Sequence, residues 1–203
     1  MEQKKTRKDR AVDTKNKIFE TAVTLIKSKG YDNVTISEIC QTAGLAKGSF
    51  YVHYNSKEDI VRESYYADMG TYICTHYNEF IASNPNKSVI ERITYFLNLE
   101  FEFAEYAGYE LTYLAYSLNL SSCVPGPSEH FSKRYFIKIL QDEIESSLAY
   151  SSSDFSCNEI FNYFESIVRG TMATWCFSNN SFNIVEQGRK YIKQAVHSIY
   201  QMQ

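Results

Sequence analysis

Three prolines in 203 residues, Pro85, Pro125 and Pro127, leave long stretches in which nothing breaks a helix, because only proline both removes a backbone donor and clashes with the preceding turn. Within those stretches apolar side chains return every three or four positions and strand-like alternation is absent. That period lays one apolar stripe along a helix, so the expected fold class is all-α. Ile18, Ala22, Leu25 and Ile26 form such a stripe over about 14–29, and Gly30 closes it as a C′ residue. Thr35-Ile36-Ser37-Glu38 has the form of a capping box and starts a second helix that ends near Ala43, where Gly44 supplies a turn. A short helix over about 47–53 follows, and Asn55-Ser56 with Asp59 caps a fourth that runs past Met69 toward Phe80. Three helices in about 40 residues, the last two joined by a glycine turn, have the plan of a helix-turn-helix.

The short helix carries Phe50-Tyr51-Val52-His53-Tyr54, four aromatic rings in five positions. At about 100° per residue, Phe50 and Tyr54 fall on one side and can seal a core against Ile39, Cys40 and Leu45. Lys47, Ser49, Tyr51, Val52 and His53 are then left facing solvent, beside a backbone opened by Gly48. Lysine, hydroxyl and imidazole groups on a helix of this kind reach phosphate oxygens and base edges when the helix enters a major groove. The charge distribution agrees with a polyanionic partner at this end. Residues 1–64 carry 12 Lys/Arg against 9 Asp/Glu, whereas residues 65–203 carry 9 against 15, within a net charge of −3.

Between Thr14 and about Glu63 lies TKNKIFETAVTLIKSKGYDNVTISEICQTAGLAKGSFYVHYNSKEDI, with KGY, T-x-x-E-I, the AG turn, KGSFYVHY and SKEDI in register. In these motifs the sequence resembles the TetR-type transcriptional regulators. The resemblance implies base-edge or groove contacts from Lys47, Gly48, Ser49 and His53, and phosphate contacts from Thr35, Tyr51 and Lys57. It makes the basic arm of Lys4, Lys5, Arg7, Lys8 and Arg10 either a further phosphate or minor-groove contact or a disordered tail. The family usually has serine where this chain has Ala46, so the recognition helix lacks its N-cap oxygen, a loss of about 1 kcal/mol. The organisation implied is a basic arm at 1–12, a three-helix helix-turn-helix DNA-binding domain at 13–72 with its recognition helix at about 47–53, and a helical effector-binding and dimerisation domain at 73–203. The function implied is a sequence-specific regulator, a homodimeric repressor released from an inverted-repeat operator on double-stranded DNA by a small-molecule inducer. The alternative on the same scaffold is an architectural or protein-interaction DNA-binding factor without an inducer.

Beyond Asn84-Pro85-Asn86 the spacing predicts longer helices over about 87–107, 109–120, 128–150, 156–178 and 183–201, separated at 121–127, 151–154 and 179–181. On the first of these Val89, Ile93, Phe96, Leu97, Phe103 and Ala104 share a stripe, and Glu100 falls in its middle. A carboxylate there needs a partner, either Arg92, Arg134 or a tyrosine hydroxyl in an ordinary core, or a ligand. Phe96, Glu100, Phe103, Tyr106 and Tyr113 are accordingly the candidate pocket, suited to an apolar or aromatic inducer that is cationic or neutral rather than anionic. On the last two helices Phe164, Val168 and Trp175, and Gly188, Ile192, Ala195 and Ile199, are spaced as a helix seam. The resemblance makes that seam a dimer interface, with intramolecular core as the competing reading.

Other chemistry is not expected. Cys40, Cys74, Cys123, Cys157 and Cys176 are odd in number, far apart and without a Cys-x-x-Cys pair, and the four histidines are equally scattered, so neither a disulfide framework nor a metal site is indicated. The sequence carries no glycine-rich phosphate loop, no Gly-x-Ser-x-Gly and no paired carboxylates in a supporting context, so neither an enzyme nor a cofactor is expected. With a charged N-terminus and no long apolar run, the expected location is the cytoplasm, away from membranes.

Overall fold

The computed structural model describes residues 6–121, 135–148 and 155–200, and among these every regular element is a helix. In chain order they are α1 (Arg7–Lys29), α2 (Ile36–Thr42), α3 (Lys47–Tyr51), α4 (Lys57–Ser83), α5 (Val89–Ala107), α6 (Tyr109–Ser121), α7 (Tyr135–Ser147), α8 (Cys157–Phe177) and α9 (Ile184–Tyr200). The chain divides into two compact units, Met1–Tyr66 and Ala67–Gln203, with the division inside α4. Lys4, Lys5, Cys123, His130, Arg134, the break expected at 151–154 and all of the break expected at 121–127 except Ser121 lie outside the described residues.

α1 starts earlier than its apolar period predicts. The Thr6 hydroxyl accepts the Asp9 N–H and the Asp9 carboxylate receives the Thr6 N–H at 2.9 Å, a full capping box that begins the helix at Arg7. Arg7 and Arg10 therefore sit on a helix and not in an arm. At α2 the box expected from Thr35 and Glu38 is half formed. Thr35 Oγ1 accepts the Glu38 N–H at 3.1 Å, but the Glu38 carboxylate is held by the Lys29 ammonium. The Lys29 ammonium keeps that carboxyl below its ordinary pKa. The turn between α2 and α3 passes through Gly44 at φ +63°, a left-handed conformation that glycine adopts without strain.

The first unit closes on Ile18 and Ala22 from α1, Ile39 and Cys40 from α2, Phe50 and Tyr54 at α3, and Ile60 from α4. Each of the isoleucine and phenylalanine side chains contributes roughly 1.5–3 kcal/mol by leaving water. Burial also raises the Cys40 thiol pKa, as expected for an inert core cysteine.

The second unit is built around α5, which buries Ile93, Phe96, Leu97, Leu99, Phe101, Phe103 and Ala104 and is covered by α6, α7, α8 and α9. A helix apolar on so much of its circumference belongs in the middle of a bundle. α9 approaches it closely, since a Cβ on Gly188 would come within 2.3 Å of the Phe101 ring. Arg92 does not pair with Glu100, as the sequence had allowed. It donates from Nε and an Nη to Glu143 of α7 at 2.8–3.0 Å, and the Tyr77 hydroxyl of α4 donates to the same carboxylate at 2.7 Å. Between α8 and α9, Asn179 and Asn180 take positive φ, and Trp175 Nε1 donates to Asn180 Oδ1 at 3.1 Å and to the Phe182 carbonyl at 3.0 Å. Asparagine tolerates that region better than most residues, which is why the break falls there.

Candidate nucleic-acid interface

α3 is short, and its orientation is set by two rings. Phe50 is fully buried and Tyr54 nearly so, with centroids 5.8 Å apart, while Lys15 of α1 places its ammonium 5.4 Å over the Tyr54 ring. The Tyr54 N–H and the His53 N–H both return to the Phe50 carbonyl, which closes a tight turn after Tyr51. With one side anchored, Lys47, Gly48, Tyr51 and Val52 are exposed, and Ser49 and His53 are half-buried at the edges of that outward face. The N-cap is Ala46, with no side-chain hydrogen bond, so the α3 N-terminal amides lack the usual protein oxygen.

The residues expected to contact phosphate divide into two groups. Thr35 and Tyr51 are exposed, and Thr35 spends only its acceptor lone pair on the α2 cap, leaving its hydroxyl hydrogen to donate outward. Lys57 is turned inward. Its ammonium donates to the carbonyls of Tyr31 and Val34, at 2.8 Å for Val34, and lies 3.8 Å from the Tyr31 ring centroid. The Tyr31 hydroxyl in turn donates to Glu58, and burial together with that carboxylate pushes its pKa upward. In this conformation Lys57 staples the α1–α2 connection to α4, a role that its position beside a helix start did not reveal. The periodicity also missed α1's first turns, where Arg7, Arg10, Thr14 and Lys17 share one side of the helix.

The remaining sequence expectations are corrected by burial. Phe96, Glu100 and Phe103 lie in the core of the second unit, but Tyr106 is 74% exposed and Tyr113 47%, so the five do not line one cavity. Among the described residues, open depressions lie elsewhere. One, of about 490 Å³, is lined by residues including Glu105, Tyr109, Trp175 and Phe182; another, of about 550 Å³, by residues including Tyr72, Glu102, Tyr106 and Arg189. Neither contains Phe96, Glu100 or Phe103. The seam residues Phe164, Val168, Trp175, Gly188, Ile192, Ala195 and Ile199 are buried within the chain, where α9 packs on α5 and α8. They are intramolecular core, because a side chain already covered by its own chain has no surface to offer a second copy. What α8 and α9 leave exposed is a different set, Tyr163, Gly170, Phe177 and Tyr191, with Phe177 77% exposed. A bond of 3.3 Å between Tyr163 Oη and Ser198 Oγ sets these two outward faces side by side. No group of metal ligands and no membrane-length apolar helix occurs among the described residues.

Comparison with known proteins bears on the first unit most directly. The family profile described as bacterial regulatory proteins, tetR family, matches residues 18–63, from the buried Ile18 of α1 into the first turns of α4. The biofilm operon icaADBC HTH-type negative transcriptional regulator IcaR of Staphylococcus aureus (strain Newman) is 27% identical over 193 residues, 91% of this chain and 96% of its own. Among solved structures, the fold resembles that of Thermus thermophilus FadR, a TetR-family transcriptional repressor in complex with lauroyl-CoA, with a TM-score of 0.69 at 14% identity over 90% of this chain and 93% of that one. It also resembles the transcriptional regulator FadR from Bacillus subtilis in complex with stearoyl-CoA, with a TM-score of 0.54 at 17% identity over 91% and 98%.

Proposed function

Since the chain belongs to the TetR family of DNA-binding transcriptional regulators, we propose that it is a repressor that binds an inverted-repeat operator as a two-fold dimer and leaves it when the second unit takes up a small molecule. The observation that carries the DNA-binding half is the outward face of α3, where Lys47, Gly48, Ser49, Tyr51 and His53 stand opposite the anchored Phe50 and Tyr54. Lys47, Ser49 and His53 supply donors for base edges, and Thr35 and Tyr51 supply hydroxyls for phosphates. Repression as the sense of regulation is supported by the relative described as a negative regulator. The relative compared above is described as a transcriptional regulator and lends an enzymatic reading no support.

The dimer surface we propose is the exposed face of α8 and α9 around Tyr163, Gly170, Phe177 and Tyr191, in place of the buried seam. Large exposed rings beside a glycine with nothing within 4 Å of its missing Cβ suit an isologous interface in which helices approach closely. The inducer is expected to be largely apolar or aromatic. The second unit is rich in buried rings, and two proteins of the same fold are described in complex with acyl-CoA. Because Phe96, Glu100 and Phe103 are buried and line neither depression, a ligand entering there must select an opened conformation, and only differential affinity for that conformation can release DNA.

Footprinting on selected DNA is the test. A discrete palindromic footprint is expected, with log K falling steeply against log salt; uniform coating of DNA would instead support the architectural alternative. In sedimentation, Gly170→Glu should give folded monomers, whereas Ile192→Lys should unfold the second unit. A folded Gly170→Glu dimer would place the interface elsewhere.

A further inference from the structure

Val52 stands out on the face just described. It is 77% exposed, against complete burial for Phe50 two residues earlier. Its backbone is still right-handed helical, at φ −70° and ψ −26°, so the helical wheel holds through this residue. On that wheel, at about 100° per residue, Val52 points about 180° away from the mean direction of the anchored Phe50 and Tyr54. It therefore sits at the crest of the outward face, one turn beyond Gly48, which has nothing within 4 Å of where a Cβ would be. Tyr51 and His53 flank it on either side. The part of α3 that would enter a groove deepest is thus a glycine followed by an aliphatic side chain, and not one of the polar groups.

That arrangement has a chemical consequence. Base edges in the major groove present donors and acceptors at every pair, and one apolar group, the C5-methyl of thymine. A valine can satisfy none of the polar groups, and covering one without replacing its hydrogen bond to water is unfavourable. Against a thymine methyl it removes apolar surface on both sides from water. We infer that Val52 is a specificity-determining residue that reads the C5-methyl of one thymine in each operator half-site. The inference rests on the DNA-binding reading of α3 and adds to it the identity of one recognised base and the group on it that is recognised.

The test separates the two levels. Full-length protein is used to select its operator from randomised DNA, and each thymine of the selected half-site is then replaced in turn, symmetrically, by deoxyuridine, which deletes the methyl and leaves every donor and acceptor in place. At one position the wild type should lose roughly fourfold in affinity per half-site, the factor that burial of about one methyl group is worth. Val52→Ala should lose that sensitivity while keeping its preferences at the other positions. Val52→Ser, which substitutes a hydroxyl for the apolar surface, should accept bases other than thymine there. If an operator is selected but every uracil substitution is neutral, or if Val52→Ala remains as sensitive as the wild type, the assignment of Val52 is overturned while the DNA-binding reading stands. If no motif is selected at all, the DNA-binding reading fails and the assignment with it.

Discussion

Gly188→Ala distinguishes the packing of α9 seen here from the role in a dimer seam that its spacing had implied. An ideal Cβ at Gly188 would lie 2.3, 2.5 and 2.6 Å from three atoms of the Phe101 ring. Ordinary carbon contacts lie near 3.5–4.0 Å, so the ring or α9 must move by about 1 Å. Phe101 is fully buried in α5, so its ring moves only by displacing its neighbours. Overpacking of this kind costs about 1–3 kcal/mol, and here it comes at the upper end because three contacts fail together. Against it stands the helix propensity gained when alanine replaces glycine in mid-helix, about 1 kcal/mol. The net expectation is a loss of about 2 kcal/mol in the second unit, or roughly 4–8 °C in Tm for a chain of this size. Trp175, the one tryptophan, is buried in the same unit and reports unfolding by its fluorescence. Gly170→Ala is the control, since nothing lies within 4 Å of its added Cβ. A Gly188→Ala protein as stable as wild type, with a weakened dimer, would refute the argument and restore Gly188 to the interface.

Lys57→Ala should destabilise the first unit by about 2 kcal/mol through loss of two charged hydrogen bonds and a cation–π contact, and leave the salt slope of DNA binding unchanged. Unchanged stability with a slope reduced by about one per subunit would make it a phosphate contact instead. Ala46→Ser should stabilise the same unit by about 1 kcal/mol in thermal unfolding by giving α3 its missing cap oxygen. At the start of α5, the Lys87 ammonium and the Ser88 cap hold the Glu91 carboxyl down to about 2, against an ordinary value near 4.5. A depressed carboxylate contributes stability above its unfolded pKa and loses it as pH falls through the folded one. Glu91→Gln should therefore flatten the decline in unfolding midpoint between about pH 4.5 and 2, and an unaltered acid profile would contradict this.

Much of the first unit was legible because its signals are local. The cap at Thr35, the left-handed Gly44 and the pairing of Phe50 with Tyr54 are each decided by residues within a few positions of one another. The late start assigned to α1 followed the apolar stripe, which begins only where the helix meets the core. The Thr6–Asp9 box was equally local, but it opens a turn with no apolar face to announce it. The inward turn of Lys57 was illegible for the opposite reason. Its partners are the Tyr31 and Val34 carbonyls, and backbone carbonyls at the end of a distant loop leave no mark in a side-chain pattern.

The second unit shows where periodicity stops carrying information. A seven-residue alternation of three and four states that a helix has a narrow apolar face, and is silent on whether a neighbouring helix of the same chain or a second copy covers it. The stripe Gly188, Ile192, Ala195 and Ile199 satisfies the rule, and α5 answers it from within the chain, since Phe101 fills the notch at Gly188. The opposite faces of α8 and α9 follow no such rule. Tyr163, Gly170, Phe177 and Tyr191 are interleaved with Ser166, Thr174 and Gln194, a mixture that reads as ordinary solvent-facing surface. That mixture is also what a surface must have if the monomer is to remain soluble before it pairs, because a uniformly apolar face would associate without register. A dimer interface of this kind is therefore found only by subtracting the faces that the chain has already used, which requires the fold first.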